Sequence, residues 1–107
     1  MKRIPDEALV VRGGKNRPED IARAIGIHPS GITGISVESG VGLSVEELAA
    51  TIPHGQIGVT TVGDVRQAGG DVFRTSGRSQ NHATLTGLSP DEISNLLTPT
   101  IFNLARS

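Results

Sequence analysis

Asp71–Val72–Phe73–Arg74–Thr75–Ser76, then Gly77–Arg78–Ser79–Gln80, then Asn81–His82–Ala83–Thr84–Leu85–Thr86–Gly87–Leu88 is the stretch that decides the fold. Two runs rich in β-branched and apolar residues flank four turn formers, which is the pattern of a β-hairpin. Directly behind it, Ser89–Pro90–Asp91–Glu92 reads as a helix start. Ser89 and Glu92 satisfy each other's orphan amides, and Pro90 has its φ set for the first helical position. Ile93, Leu96 and Leu97 give that helix an apolar face, and Thr98–Pro99 closes it.

Working outward, Ser44–Val45–Glu46–Glu47 and Asn16–Arg17–Pro18–Glu19 repeat the capping pattern. The first leads into Leu48, Ala49 and Ile52, and the second into Ile21, Ala22 and Ile25 with Gly26 as a stop. Thr61–Val62–Gly63–Asp64 opens a shorter fourth helix ending at Gly69–Gly70. Between them, Leu9–Arg12, Gly31–Glu38 and Gln56–Thr60 read as strands. Strands alternate with helices early, and an antiparallel pair follows late. The expectation is a single α+β domain over residues 1–107, with a small, mostly antiparallel sheet, three capped helices on one face and a late hairpin.

Composition limits the chemistry. The 107 residues include no Cys, Trp or Tyr, two Phe and 14 Gly, with a net charge of −1. Without cysteine there are no disulfides, thiol nucleophiles or zinc ribbons, and the histidines lack paired metal spacing, so neither metal nor cofactor is expected. Few aromatics argue against a base-stacking platform. No apolar run approaches the ~20 residues of a membrane span, and the start of the chain has no signal-peptide pattern. The expected location is the cytoplasm, that of the producing cell or of a target cell reached as part of a larger toxin. Residues 1–23 hold six basic and four acidic side chains, residues 24–65 none basic and four acidic, and residues 66–107 four basic and three acidic. Basic ends brought together would attract phosphate, although ordinary solvated charge explains the same counts.

Strand parity sorts the polar groups. His82, Thr84 and Thr86 share one face of their strand, and Ser36 and Glu38 share one face of theirs. A polar sheet face carrying Arg12, Glu38, Arg74, Ser76, His82 and Thr84 is expected opposite a helix-covered one. A carboxylate, an imidazole and guanidinium groups are the parts of metal-free RNA cleavage. Glu38 takes the role of base and His82 that of acid. Arg74, Arg12 or Arg78 binds phosphate through planar contacts, and Thr84 and Ser76 add hydroxyls. Val11–Arg12–Gly13–Gly14–Lys15 before a helix is a second phosphate candidate through Lys15, but it lacks Walker spacing, and a glycine-requiring strand-to-helix turn explains it equally.

The stretch from Gly69–Gly70–Asp71–Val72 through Asn81–Leu88 to Ser89–Glu92 resembles the C-terminal ends of small bacterial toxin domains. With the order Glu38, Arg74, His82, it is similar to the barnase/EndoU/RelE-like group of metal-independent ribonucleases. That resemblance implies an RNA-cleaving sheet face that meets the phosphate backbone, with Glu38 as general base, Arg74 as phosphate ligand and His82 as general acid. It also implies a cognate inhibitor protein. The chain departs from the group in having no tyrosine and no second histidine in a comparable hairpin, which bears on substrate recognition more than on phosphate chemistry. Two rivals remain at this point. Arg12, Ser36 and Glu38 suggest an NAD-using ADP-ribosyl transferase. The acidic segment Glu38, Glu46, Glu47, Asp64 and the apolar tail Ile101, Phe102, Leu104 suggest an antitoxin- or immunity-like partner protein, or a homodimer.

Overall fold

The computed structural model describes residues 3–106. Seven strands form one sheet: β1 (Leu9–Gly13), β2 (Gly26–Ile27), β3 (Thr33–Gly40), β4 (Gln56–Thr61), β5 (Asp71–Arg74), β6 (His82–Thr86) and β7 (Ile101–Phe102). The order is β5-β6-β3-β1-β4-β7, with β2 beside the first half of β3, and each pairing is antiparallel. Four short helices connect them: α1 (Pro18–Ala24), α2 (Val45–Ala49), α3 (Val62–Gln67) and α4 (Pro90–Leu97). The α+β architecture is the one expected, and the late hairpin is β5–β6. The two-residue strands β2 and β7 had no sequence signal, because so short a run has no period to read.

The sheet has a different core on each face. Val10, Ile35, Val37, Val72, Ala83 and Leu85 pack against Ile21 of α1, Val62 and Val65 of α3, and Ile93 and Leu97 of α4. On the other face Val11 and Ile57 meet Leu48, Ala49 and Ile52. The expectation of three capped helices on one face therefore needs correcting, because α2 lies alone on the opposite one. Its apolar residues Leu48, Ala49 and Ile52 pack on Val11 and Ile57, and the helix lies against β1 and β3. The stretch of β3 and β6 around Ser36 and His82 borders a cleft instead, and this is what creates a site.

Capping holds at Ser89 and Ser44, whose hydroxyls accept from the Glu92 and Glu47 amides at 3.2 and 3.0 Å. Thr61 caps α3 in the same way at 3.1 Å. At α1 the box lies one residue later than expected. Arg17 is the N-cap, and its backbone N–H donates to Asp20 at 3.2 Å. Asn16 is buried instead, at φ 54°, and its amide donates to the Arg12 and Gly14 carbonyls. The left-handed backbone that Asn tolerates makes the β1–α1 turn, so Asn16 serves the turn and Arg17 the helix.

Candidate functional site

Glu38 and His82 are directly opposed across β3 and β6. Opposed residues in an antiparallel pair share a face, so both project from the face that carries α2. They line a cleft of about 730 Å³ whose far wall is the segment Thr51–Pro53 with His54, and whose rim is Gly77, Arg78 and Ser79. Ser36 stands on the same floor.

His82 is held at both ring nitrogens. Its Nδ1 lies 3.0 Å from Thr75 Oγ1 and 3.3 Å from the Thr75 carbonyl. A carbonyl can only accept, so this contact is a hydrogen bond when Nδ1 carries a proton. Thr75 is buried and its hydroxyl bonds Thr84 Oγ1 at 2.9 Å, which fixes the anchor from behind. Nε2 is thereby the working nitrogen, pointing into the cleft 3.0 Å from Ser36 Oγ. Because that hydroxyl both donates and accepts, it satisfies Nε2 with or without its proton. Two further contacts fix the ring. Gly77 lies flat against it, and His28 stacks on it with centroids 5.7 Å apart and planes 29° apart. His28 is pinned in turn: Nδ1 accepts from the Ser30 amide at 3.0 Å, and Nε2–H donates to the Ser76 carbonyl at 2.8 Å.

Glu38 is half-buried, and its Oε1 is enclosed with no hydrogen-bond partner among the described residues. Arg12 has the parity of Val10 rather than of Glu38. Its Nη1 donates to the Gly13 carbonyl at 3.2 Å while Nε is buried without a partner. Burial lowers its pKa against the opposing field of Asp20. Arg12, Gly13 and His54 border both the cleft and a smaller hollow of about 340 Å³, which Lys15 also lines. Arg78 is exposed at the cleft rim.

The proposed set thus divides. Glu38, His82 and Arg78 face one cleft, and Lys15 borders the adjoining hollow; Arg12 touches the edge of both, but it is opposed to Gly58 on the α4 side of the sheet, which corrects its expected place on the polar face. Arg74 falls outside: it is opposed to Ala83, one residue out of step with His82, and its guanidinium bonds the His82 carbonyl at 3.3 Å. The expectation that it shares the polar face is corrected by this register. Thr84 is buried behind Thr75, and Ser76 contributes its carbonyl to His28. Sequence reading passed over His54, His28 and Thr75. The first two sit beside prolines in segments with no period, and Thr75 was grouped with Phe73 on strand parity alone.

Comparison with protein-family models, curated proteins and solved structures finds no match. The function is therefore argued from the cleft itself.

Among the described residues no group of three or more His, Asp or Glu side chains is placed to hold a metal ion. No helix among them is long and apolar enough to cross a membrane.

Proposed function

We propose that the cleft cleaves RNA by acid–base catalysis at the ribose 2′-OH and the adjacent phosphate. The observation that carries this reading is the opposed pair Glu38–His82 lining one cleft, a carboxylate beside an imidazole whose Nδ1 is anchored. Glu38 withdraws the 2′-OH proton, and O2′ attacks phosphorus. His82 Nε2–H then protonates the departing O5′, leaving a 2′,3′-cyclic phosphate and a free 5′-hydroxyl. Arg78 at the rim opposes the charge that builds on the phosphoryl oxygens. Lys15 in the adjoining hollow takes a neighbouring phosphate. With no aromatic ring beyond its histidines among the lining residues, the cleft grips the backbone more than the bases. The resemblance of residues 69–92 to the barnase/EndoU/RelE-like ribonucleases supports the same reading. It brings with it a cytoplasmic site of action and a cognate inhibitor protein.

The test is cleavage of a labelled RNA in EDTA, with the all-deoxy strand as control. Wild-type protein cuts RNA only, and His82→Ala and Glu38→Gln each lose roughly 10²–10⁴-fold. Intact RNA with the wild-type protein overturns the reading. Consumption of NAD would instead mark the transferase reading of Arg12, Ser36 and Glu38, all of which border the cleft.

One observation favours a second, partner-binding reading. Ile101 and Phe102, on the edge strand β7, are 50% and 60% exposed. An apolar sheet edge of this kind suits strand addition by another chain, whether an inhibitor or a second copy.

A further inference from the structure

The hydrogen bond between Ser36 and His82 carries a chemistry that RNA cleavage does not use. When the imidazole holds its proton on Nδ1, donated to the Thr75 carbonyl, the Nε2 lone pair faces Ser36 Oγ at 3.0 Å. A hydroxyl within hydrogen-bond reach of a base that is itself oriented by a third group is the arrangement of an activated nucleophile. Ser36 is exposed on the cleft floor, so a substrate can reach it. We infer that Ser36 is a nucleophile activated by His82, and that the cleft accepts a carboxylic ester with a short acyl chain. The side chains of Ile52 and Pro53 form an aliphatic wall suited to that chain, and Arg78 supplies positive charge at the rim.

The step balances without any further reagent. Ser36 Oγ bonds to the carbonyl carbon as its proton passes to His82 Nε2, and the carbonyl electron pair moves to oxygen. Collapse expels the alcohol oxygen, which takes the proton from Nε2 and leaves an acyl ester on Ser36. Water repeats the sequence, giving up a proton to Nε2, and releases the carboxylic acid. Thr75 is a positioning residue here, since its carbonyl is bonded by Nδ1 in the tautomer that leaves the lone pair on Nε2. His28 and Gly77 hold the plane of the ring so that this lone pair stays on the hydroxyl.

The experiment is labelling of the full chain with a short-alkyl fluorophosphonate, read by intact mass and peptide mapping. In that reaction the Oγ–P bond forms, fluoride leaves and the imidazole takes the proton. The expected result is one adduct per chain, on Ser36, absent in Ser36→Ala and slowed at least ~100-fold in His82→Ala. His82→Gln keeps a side chain against Gly77 and replaces the alanine variant should that one not fold. The inference is overturned if wild-type protein labels no faster than Ser36→Ala, if the adduct maps elsewhere, or if a folded His82 variant labels at the wild-type rate. None of these outcomes depends on whether RNA is cut, so the ribonuclease reading and this one stand or fall separately.

Discussion

Gly77 lies against the ring of His82 so closely that a Cβ built on it would stand 2.4 Å from the ring's Cγ. The loop glycine therefore sets the plane of the imidazole. Gly77→Ala forces the ring off Thr75 or Ser36, and a displacement of about 1 Å at a reacting group costs on the order of 100-fold in rate. RNA cleavage by the variant should fall by that order while its far-UV circular dichroism stays unchanged. Wild-type rates in a folded Gly77→Ala protein would show that the glycine does not position the His82 ring.

A second contact fixes the opposite wall of the cleft. Asn103 is fully buried, its amide donates to the His54 carbonyl at 2.9 Å, and its backbone N–H donates to Gly55 at 2.8 Å. Asn103→Ala leaves the buried carbonyl of Ile52 and that of His54 without their side-chain donor, at a cost of about 1–3 kcal/mol. Urea unfolding should report that loss. Hydrogen exchange should show it concentrated in residues 51–55 rather than spread over the sheet.

Gly58 on β4 sits under α4, where an added Cβ would lie 2.4 Å from the Leu97 carbonyl and 2.9 Å from the Asn16 amide nitrogen. Neither the helix end nor the buried turn has room to retreat. Gly58→Ala should cost about 1–3 kcal/mol through overpacking, seen as a lower urea midpoint with the slope unchanged. A neutral result would mean that α4 slides on the sheet more freely than its packing implies.

Acid should weaken the fold through Asp71 and Asp20. Burial pushes the Asp71 carboxyl up, but the hydrogen bond from Arg66 at 2.8 Å, the Val72 amide and the field of Arg3 outweigh it and bring the pKa below the usual value. Asp20, bonded by Arg17 and near Arg23, is lowered to about 2. A carboxyl depressed in the native state binds fewer protons there than in the unfolded chain. Its contribution is complete above the ordinary Asp value of about 3.9 and disappears as pH falls through the native one. The urea midpoint should therefore drop between about pH 4 and pH 2. Arg66→Gln removes the main opposing donor, so the Asp71 carboxyl should titrate at higher pH by NMR. An unmoved titration would refute the role given to Arg66.

The elements that announced themselves in sequence are those with a chemical signature at a fixed spacing. Ser89 with Glu92 and Ser44 with Glu47 marked helix starts that the structure keeps, because capping is local and depends on three residues. Asn16 misled for an equally local reason: its side chain competes for the turn carbonyls of Arg12 and Gly14, and Arg17 takes the cap. Parity along single strands put Ser36 with Glu38, and His82 with Thr84, correctly. It failed for Arg74, because relating two strands requires their register, and the seven-residue excursion from Thr75 to Asn81 sets that register without a period of its own. The pairing of Glu38 with His82 was out of reach for the same reason. It joins strands 44 residues apart through a pairing that only the assembled sheet defines.

The placement of α2 also bears on how such a domain changes over generations. Residues 41–55 contribute nothing to the larger core, which is built from α1, α3, α4 and the opposite face of the sheet. Yet this segment supplies the entire far wall of the cleft. Substitutions and length changes there alter the shape presented to a ligand while the larger core keeps its contacts. The sheet and its three helices thus form a scaffold whose packing does not involve the α2 segment, so that segment is where the cleft can be reshaped at least cost to stability.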